Sequence, residues 1–379
     1  LGSGSISGNT YVWKRGGVTI VGANTSSLST NTPGTYTVQV TDDNGCASAV
    51  SANFVLTNDS SPLNGNYTIS SAPASCTNYI SFASAVNDLN TRGISGNVRF
   101  SVAAGYTETV PSGGLLLGTA TLNSSVGANT ITFEKSGVGA NPLLTAYAGG
   151  TFTPATASLD GIFGIRGTDN VTISQIDLND PNTTNPSTME FGYGLFKFDA
   201  TNGTQNVTIL NCNITLNKAN NTAAGTVTPN GSSGILMINS TAAAANTALT
   251  PTGAAGTNSN NKFYGNNIRN CNNGIALIGF AASSPFTLAD SNNDIGGTSG
   301  LTGNTIEAFG GGGTVQCAGI WINNQWGLNV SYNDLNNTNS SGVAHTGVIR
   351  GIYGIVATGA SITIGNNNVT LTSASTTSA

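Results

Sequence analysis

The chain has 379 residues, of which 38% are hydrophobic and only 7% charged, with 50 glycines and a formal net charge of −5. Intracellular globular proteins carry roughly 25% charged residues, so this composition points outside the cell, and its β-branched apolar content argues against disorder. Eleven Lys and Arg scattered singly make no stripe for nucleic acid, and no apolar run approaches the roughly 20 residues of a membrane helix.

The first 57 residues read as short antiparallel strands. Tyr11-Val12-Trp13 alternates, Val18 to Val21 follows, and Gly34 to Val40 places Tyr36, Val38 and Val40 on one face before a turn at Asp43-Asn44-Gly45. A Trp followed by a Tyr-x-Val-x-Val strand is the layout of a small β-sandwich core. Tyr11-Val12-Trp13-Lys14 and Pro33 to Cys46 resemble the Ig-like (PKD-like) repeats of secreted Bacteroidota surface proteins. That resemblance implies a partial module whose earlier strand, with a partner for Cys46, lies before residue 1. It also implies export by the type IX route and a secreted, cell-surface location.

After a linker at 58–66, the stretch 81–92 carries Phe82, Ala85, Val86 and Leu89 at helical spacing, with Gly93 as a stop. An alternating strand follows at Asn97 to Val102. A lone helix ahead of a long β region is an end cap for a solenoid's apolar cross-section. The order helix, strand, Ala-Gly-Tyr-x-Glu resembles the start of pectate-lyase-type β-helices.

An internal period dominates the rest. Gly followed by Ile or Leu opens a strand at Gly161, Gly194, Gly234, Gly274, Gly319 and Gly351. Each is followed by an Asn-rich step: Ile176-Asp177-Leu178, Cys212-Asn213-Ile214, Asn266-Asn267-Ile268, Asn304-Thr305-Ile306, Asn333-Asp334-Leu335 and Asn367-Asn368-Val369. The expected fold is all-β: a partial Ig-like β-sandwich (1–57) followed by a right-handed parallel β-helix (67–379) that continues beyond the last residue. The final apolar residue of each step points inward, and Asn266, Asn304, Asn333 and Asn367 form a structural ladder at a bend. Stretches 241–259 and 281–303 are insertions, read as passive loops.

Five cysteines and one histidine lack metal-ligand spacing. No cofactor is expected; Asp177, Asp180 and Asp199 amount at most to a weak Ca²⁺ site. Hydrolysis of a glycosidic bond needs two neighbouring carboxyls. Asp177 and Asp334 share a register position but lie four coils apart, Glu190, Glu134 and Glu307 have no partner in the repeat, and Arg166, Lys197 and His345 read as surface groups. Trp321, Trp326 and Tyr332 are candidates for stacking on a sugar ring. The favoured reading is a non-catalytic adhesin, fibre or stalk whose partners are extracellular glycans, proteins or neighbouring Ig-like modules. The alternatives are a polysaccharide lyase or glycoside hydrolase, or a carbohydrate-binding module.

Overall fold

The computed structural model describes residues 8–30, 32–57, 60–148, 159–182, 189–217, 229, 231–310, 316–338, 345–355 and 359–374. It divides into two units, Leu1–Ser61 and Pro62–Ala379.

The first unit holds one antiparallel sheet, with Val18–Thr19, Thr10–Arg15, Gly34–Thr41 and Phe54–Leu56 side by side in that order. The alternation expected of a half-buried strand is present: Tyr11 and Trp13 are buried while Val12 is exposed. A second sheet facing this one, which the sandwich reading requires, is absent among the described residues. Loop backbone takes its place, since Trp13 Nε1 donates to Thr25 O at 2.9 Å and the Tyr36 hydroxyl donates to Thr32 O. Cys46 and Cys76 are exposed free thiols.

The second unit is a parallel β-helix. Its first strand, Leu63–Ile69, pairs with Ile94–Ala103, so 63–66 belong to the solenoid rather than to a linker; Leu63 is wholly buried. Helix α1 (Phe82–Arg92) begins at Ser81, whose side chain accepts from Ser84 N, and stops at Gly93 with φ 67°. The Glu108 carboxylate accepts from the N–H groups of Phe82 and Ala83 at 2.6 and 3.1 Å, meeting two orphan donors and the positive end of the helix dipole. Phe82, Ala85, Val86 and Leu89 face the first coils. A shorter helix, α2 (Ala120–Val126), packs beside it.

Three parallel sheets run the length of the unit, each coil adding one strand to each. Sheet I contains Ile131–Ser136, Val171–Ser174, Thr208–Leu210, Lys262–Tyr264 and Leu328–Ser331, among others. Sheet II contains Asp177–Asn179, Asn213–Thr215, Asn267–Arg269, Thr305–Glu307 and Asp334–Asn336. Sheet III contains Gly161–Arg166, Phe191–Phe196, Ser233–Ile238, Asn273–Ile278 and Cys317–Asn323. The chain visits them in the order III, I, II and then returns to III.

In sheet II, Leu178, Ile214, Ile268, Ile306 and Leu335 stand in one inward column, each at most 1% exposed. The glycines of sheet III face this column. A Cβ on Gly234 would lie 2.3 Å from Ile268 Cγ2, one on Gly274 2.4 Å from Ile306 Cγ2, and one on Gly319 2.4 Å from Leu335 Cδ2. The repeated glycine therefore answers lack of room. The column comprises Gly192, Gly234, Gly274, Gly319 and Gly351, with Ile162 ahead of it. Gly161 and Gly194 stand elsewhere, because Gly161 is level with Phe191 and Gly164 with Gly194. The first two copies of the sequence repeat are thus out of register with the other four.

Candidate active site

Correcting that register brings two acids together. Asp160 precedes one strand of sheet III and Glu190 precedes the next; Gly161 is level with Phe191, so the acids occupy neighbouring rungs, about 4.8 Å apart along the axis. Asp160 N donates to Glu190 Oε2 at 2.6 Å, and Glu190 N donates to Asp160 O at 2.9 Å. Asp180 directly follows a sheet II strand. Its Oδ1 accepts from Asn182 N at 2.9 Å, and its charge acts on Asp160.

Burial decides the protonation of this group. Glu190 is 6% exposed, its Oε1 has no hydrogen-bond partner, and desolvation pushes its carboxyl up to about 9. Half-buried Asp160 is pushed up to about 6, again chiefly by desolvation, with the Asp180 charge adding to it. Asp180 is raised by the same cause. None of the three makes a salt bridge among the described residues. At neutral pH the corner therefore holds a protonated Glu190, its carboxyl on the Asp160 backbone N–H, on the rung next to an ionised Asp160.

The Ca²⁺ grouping dissolves into separate contacts. Asp177 accepts from Asn141 Nδ2 at 2.9 Å and from Asn213 N at 2.8 Å. Asp199 accepts from the Thr201 N–H and hydroxyl at 2.7 and 2.6 Å, which lower its pKa. Only Asp180 joins the acid corner, and no group of three His, Cys, Asp or Glu side chains suits a metal ion among the described residues.

The asparagines stack along the bend between sheets I and II. Asn266 Nδ2 donates to Asn304 Oδ1 at 3.0 Å, Asn304 Nδ2 to Asn333 Oδ1 at 2.9 Å, and Asn333 Nδ2 to Asn367 Oδ1 at 2.9 Å. Each side-chain amide also donates to a backbone carbonyl: Ile209, Phe263, Ile295 and Val330 O respectively.

Trp321, Trp326 and Tyr332 do not form one aromatic platform. Trp326 is 8% exposed and lies under Phe286 of the 281–303 insertion, with ring centroids 5.5 Å apart. Trp321 meets Tyr353 edge-on at 4.9 Å on the outer face of sheet III, and Tyr332 sits at the opposite bend with φ 63°. The 241–259 insertion is not passive either: Ala242 and Ala245 cover Phe196, Leu236 and Ile238. Lys197 and His345, read as surface groups, are both 0% exposed. Lys197 Nζ donates to Gly256 O at 2.6 Å and pairs with the equally buried Asp290 at 3.4 Å, tying three coils together.

The fold and this corner define a parallel β-helix with a buried and a half-buried acid on adjacent rungs. No protein-family model matches the chain, and no curated protein matches its sequence. Among solved structures it is similar to a GH136 lacto-N-biosidase from Eubacterium ramulus, at 13% identity and a TM-score of 0.38 over 72% of this chain and 52% of that one. It is also similar to a family 28 exopolygalacturonase from Yersinia enterocolitica, at 11% identity and a TM-score of 0.26 over 97% of this chain and 82% of that one. The chain spans about half the length of the first. At such identities the likeness concerns the β-helix fold.

The sequence favoured a non-catalytic adhesin, fibre or stalk, an expectation that the acid corner corrects. That expectation rested on adjacent coils lacking paired acids, and Asp160 beside Glu190 removes its basis. It is set aside.

Proposed function

We propose that the chain is a glycoside hydrolase, with Glu190 as proton donor and Asp160 as the partner carboxylate. The observation that carries this reading is the pair itself: two carboxyls on adjacent rungs whose protonation burial drives apart, to about 9 and about 6. Glycosidic cleavage uses such a division, one carboxyl protonating the leaving oxygen while the other acts as nucleophile or activates water. The charge of Asp160 disfavours a second negative charge beside it and so helps to keep Glu190 protonated. An extracellular location and a glycan partner belong to the same proposal, supported by the sparse charge.

The test is release of reducing ends from a panel of neutral and acidic oligosaccharides. Activity should follow a bell whose limbs lie near pH 6 and pH 9, matching the two carboxyls. Glu190→Gln and Asp160→Asn should each reduce the rate by a factor on the order of 100 or more. No product from any member of the panel, or full activity in both variants, overturns the proposal. Products with unsaturated, ultraviolet-absorbing ends would assign a lyase instead.

A further inference from the structure

A second polar site lies on the outer face of sheet I. A cavity of about 300 Å³ is lined by Asn206, Thr208, Asn260, Lys262 and Asn292. The three asparagines occupy the same bend on successive coils, all left-handed, with φ 56°, 61° and 55°. Their backbone N–H groups are consumed by the next coil, donating to Ser259, Ser291 and Trp326 O at 3.1, 2.9 and 2.8 Å. The side chains are left for solvent: Asn206 bonds Asn170 Oδ1, while Asn260 and Asn292 have no side-chain partner among the described residues.

Lys262 supplies the charge. It is exposed and makes no ion pair among the described residues, although Asp294 is its neighbour in the strand register. Asp294 is already engaged, accepting from the Tyr264 hydroxyl at 2.7 Å, Asn329 Nδ2 at 2.8 Å and Gly297 N at 2.9 Å. The cavity thus offers one unneutralised ammonium, two uncommitted amides and a hydroxyl across three rungs, about 10 Å of axis. Amides donate and accept at once, which suits vicinal hydroxyls, and the ammonium suits an anionic substituent.

We infer that this cavity binds an acidic sugar unit of a polysaccharide, its carboxylate or sulfate on Lys262 and its hydroxyls on Asn260, Asn292 and Thr208. The site lies away from the Asp160–Glu190 corner and does not depend on the hydrolase reading.

The test is calorimetry on the whole chain with uronate oligomers, sulfated oligosaccharides and neutral oligomers of equal length. Acidic oligomers should bind at least tenfold tighter than neutral ones, with an affinity that falls as salt is added; the uronate and sulfate arms identify the anion. Lys262→Met should remove that preference and Lys262→Arg should keep it. Lys135→Met, which removes another, half-buried cation of sheet I, and Glu190→Gln should leave it intact. Equal affinity for neutral and acidic oligomers, no binding to either, or equal loss in Lys262→Met and Lys135→Met overturns the inference.

Discussion

Glu190→Gln tests the acid corner without requiring a substrate. Glutamine has the shape of a protonated glutamic acid and keeps an oxygen for the Asp160 N–H, bonded at 2.6 Å in the native chain. The native carboxyl titrates at about 9 against an ordinary 4.5. Between those limits the folded state holds a proton that the unfolded state has released. Stability from this group is therefore full below pH 4.5 and is lost as pH rises toward 9, at about 1.4 kcal/mol per unit. From pH 5 to pH 8 the wild type should lose about 4 kcal/mol relative to the variant. Asp160 titrates in both proteins and largely cancels. Urea unfolding at the two pH values measures the difference; both fluorescence and circular dichroism should be followed, because stacked coils can unfold in stages. A wild-type-minus-variant difference that is the same at pH 5 and pH 8 would mean that Glu190 is ionised in the fold, and the argument would fail.

Asn304→Ala should remove about 2–4 kcal/mol, since it strips acceptors from both Asn266 N and Nδ2 and a donor from Phe263 O; thermal unfolding and amide exchange at Asn266 read it. Gly274→Ala should cost about 1–3 kcal/mol, because its Cβ meets Ile306 Cγ2 at 2.4 Å and Gly319 O at 2.5 Å. Gly354→Ala, with nothing within 4 Å, is the control for that measurement. Lys197→Met alone strands the fully buried Asp290 and should cost about 3–5 kcal/mol, whereas the Lys197→Met, Asp290→Asn pair should recover most of it. A double variant no more stable than the single one would mean that the pair itself supplies the stability.

Much of the solenoid was legible because its signals are local and repeated. The Asn-step residues Leu178, Ile214, Ile268, Ile306 and Leu335 were aligned by sequence as the strands align them, since the step is short and its apolar end recurs every coil. Helix α1 was legible for a similar reason: apolar residues at helical spacing, with Ser81 before and Gly93 after. In the first unit, Trp13 and the strand at 34–41 were readable, but the alternation of one strand does not say what covers its face; loop backbone at Thr25 and Thr32 was as compatible with that pattern as a second sheet.

The acid corner was hidden by a register error. Phe191-Gly192-Tyr193-Gly194-Leu195 contains two glycines, and choosing Gly194-Leu195 as the copy of Gly161-Ile162 set Asp160 opposite Tyr193. An alignment on the inward apolar column, Phe163 with Tyr193 and Ile235, would have set it opposite Glu190. Lys197 and Asp290, 93 residues apart, share no repeat position, so only the folded insertions bring them together.

Sequence alone determined that stacked parallel coils would form, because a period of apolar and asparagine positions can be satisfied only by a copy of itself on the next rung. What the tertiary structure decided was which residues of neighbouring rungs face one another. A shift of one or two residues leaves the periodic pattern almost unchanged but moves every side chain to a new partner. For this chain, that shift separates two unrelated turn acids from a pair on adjacent rungs, one buried and one half-buried.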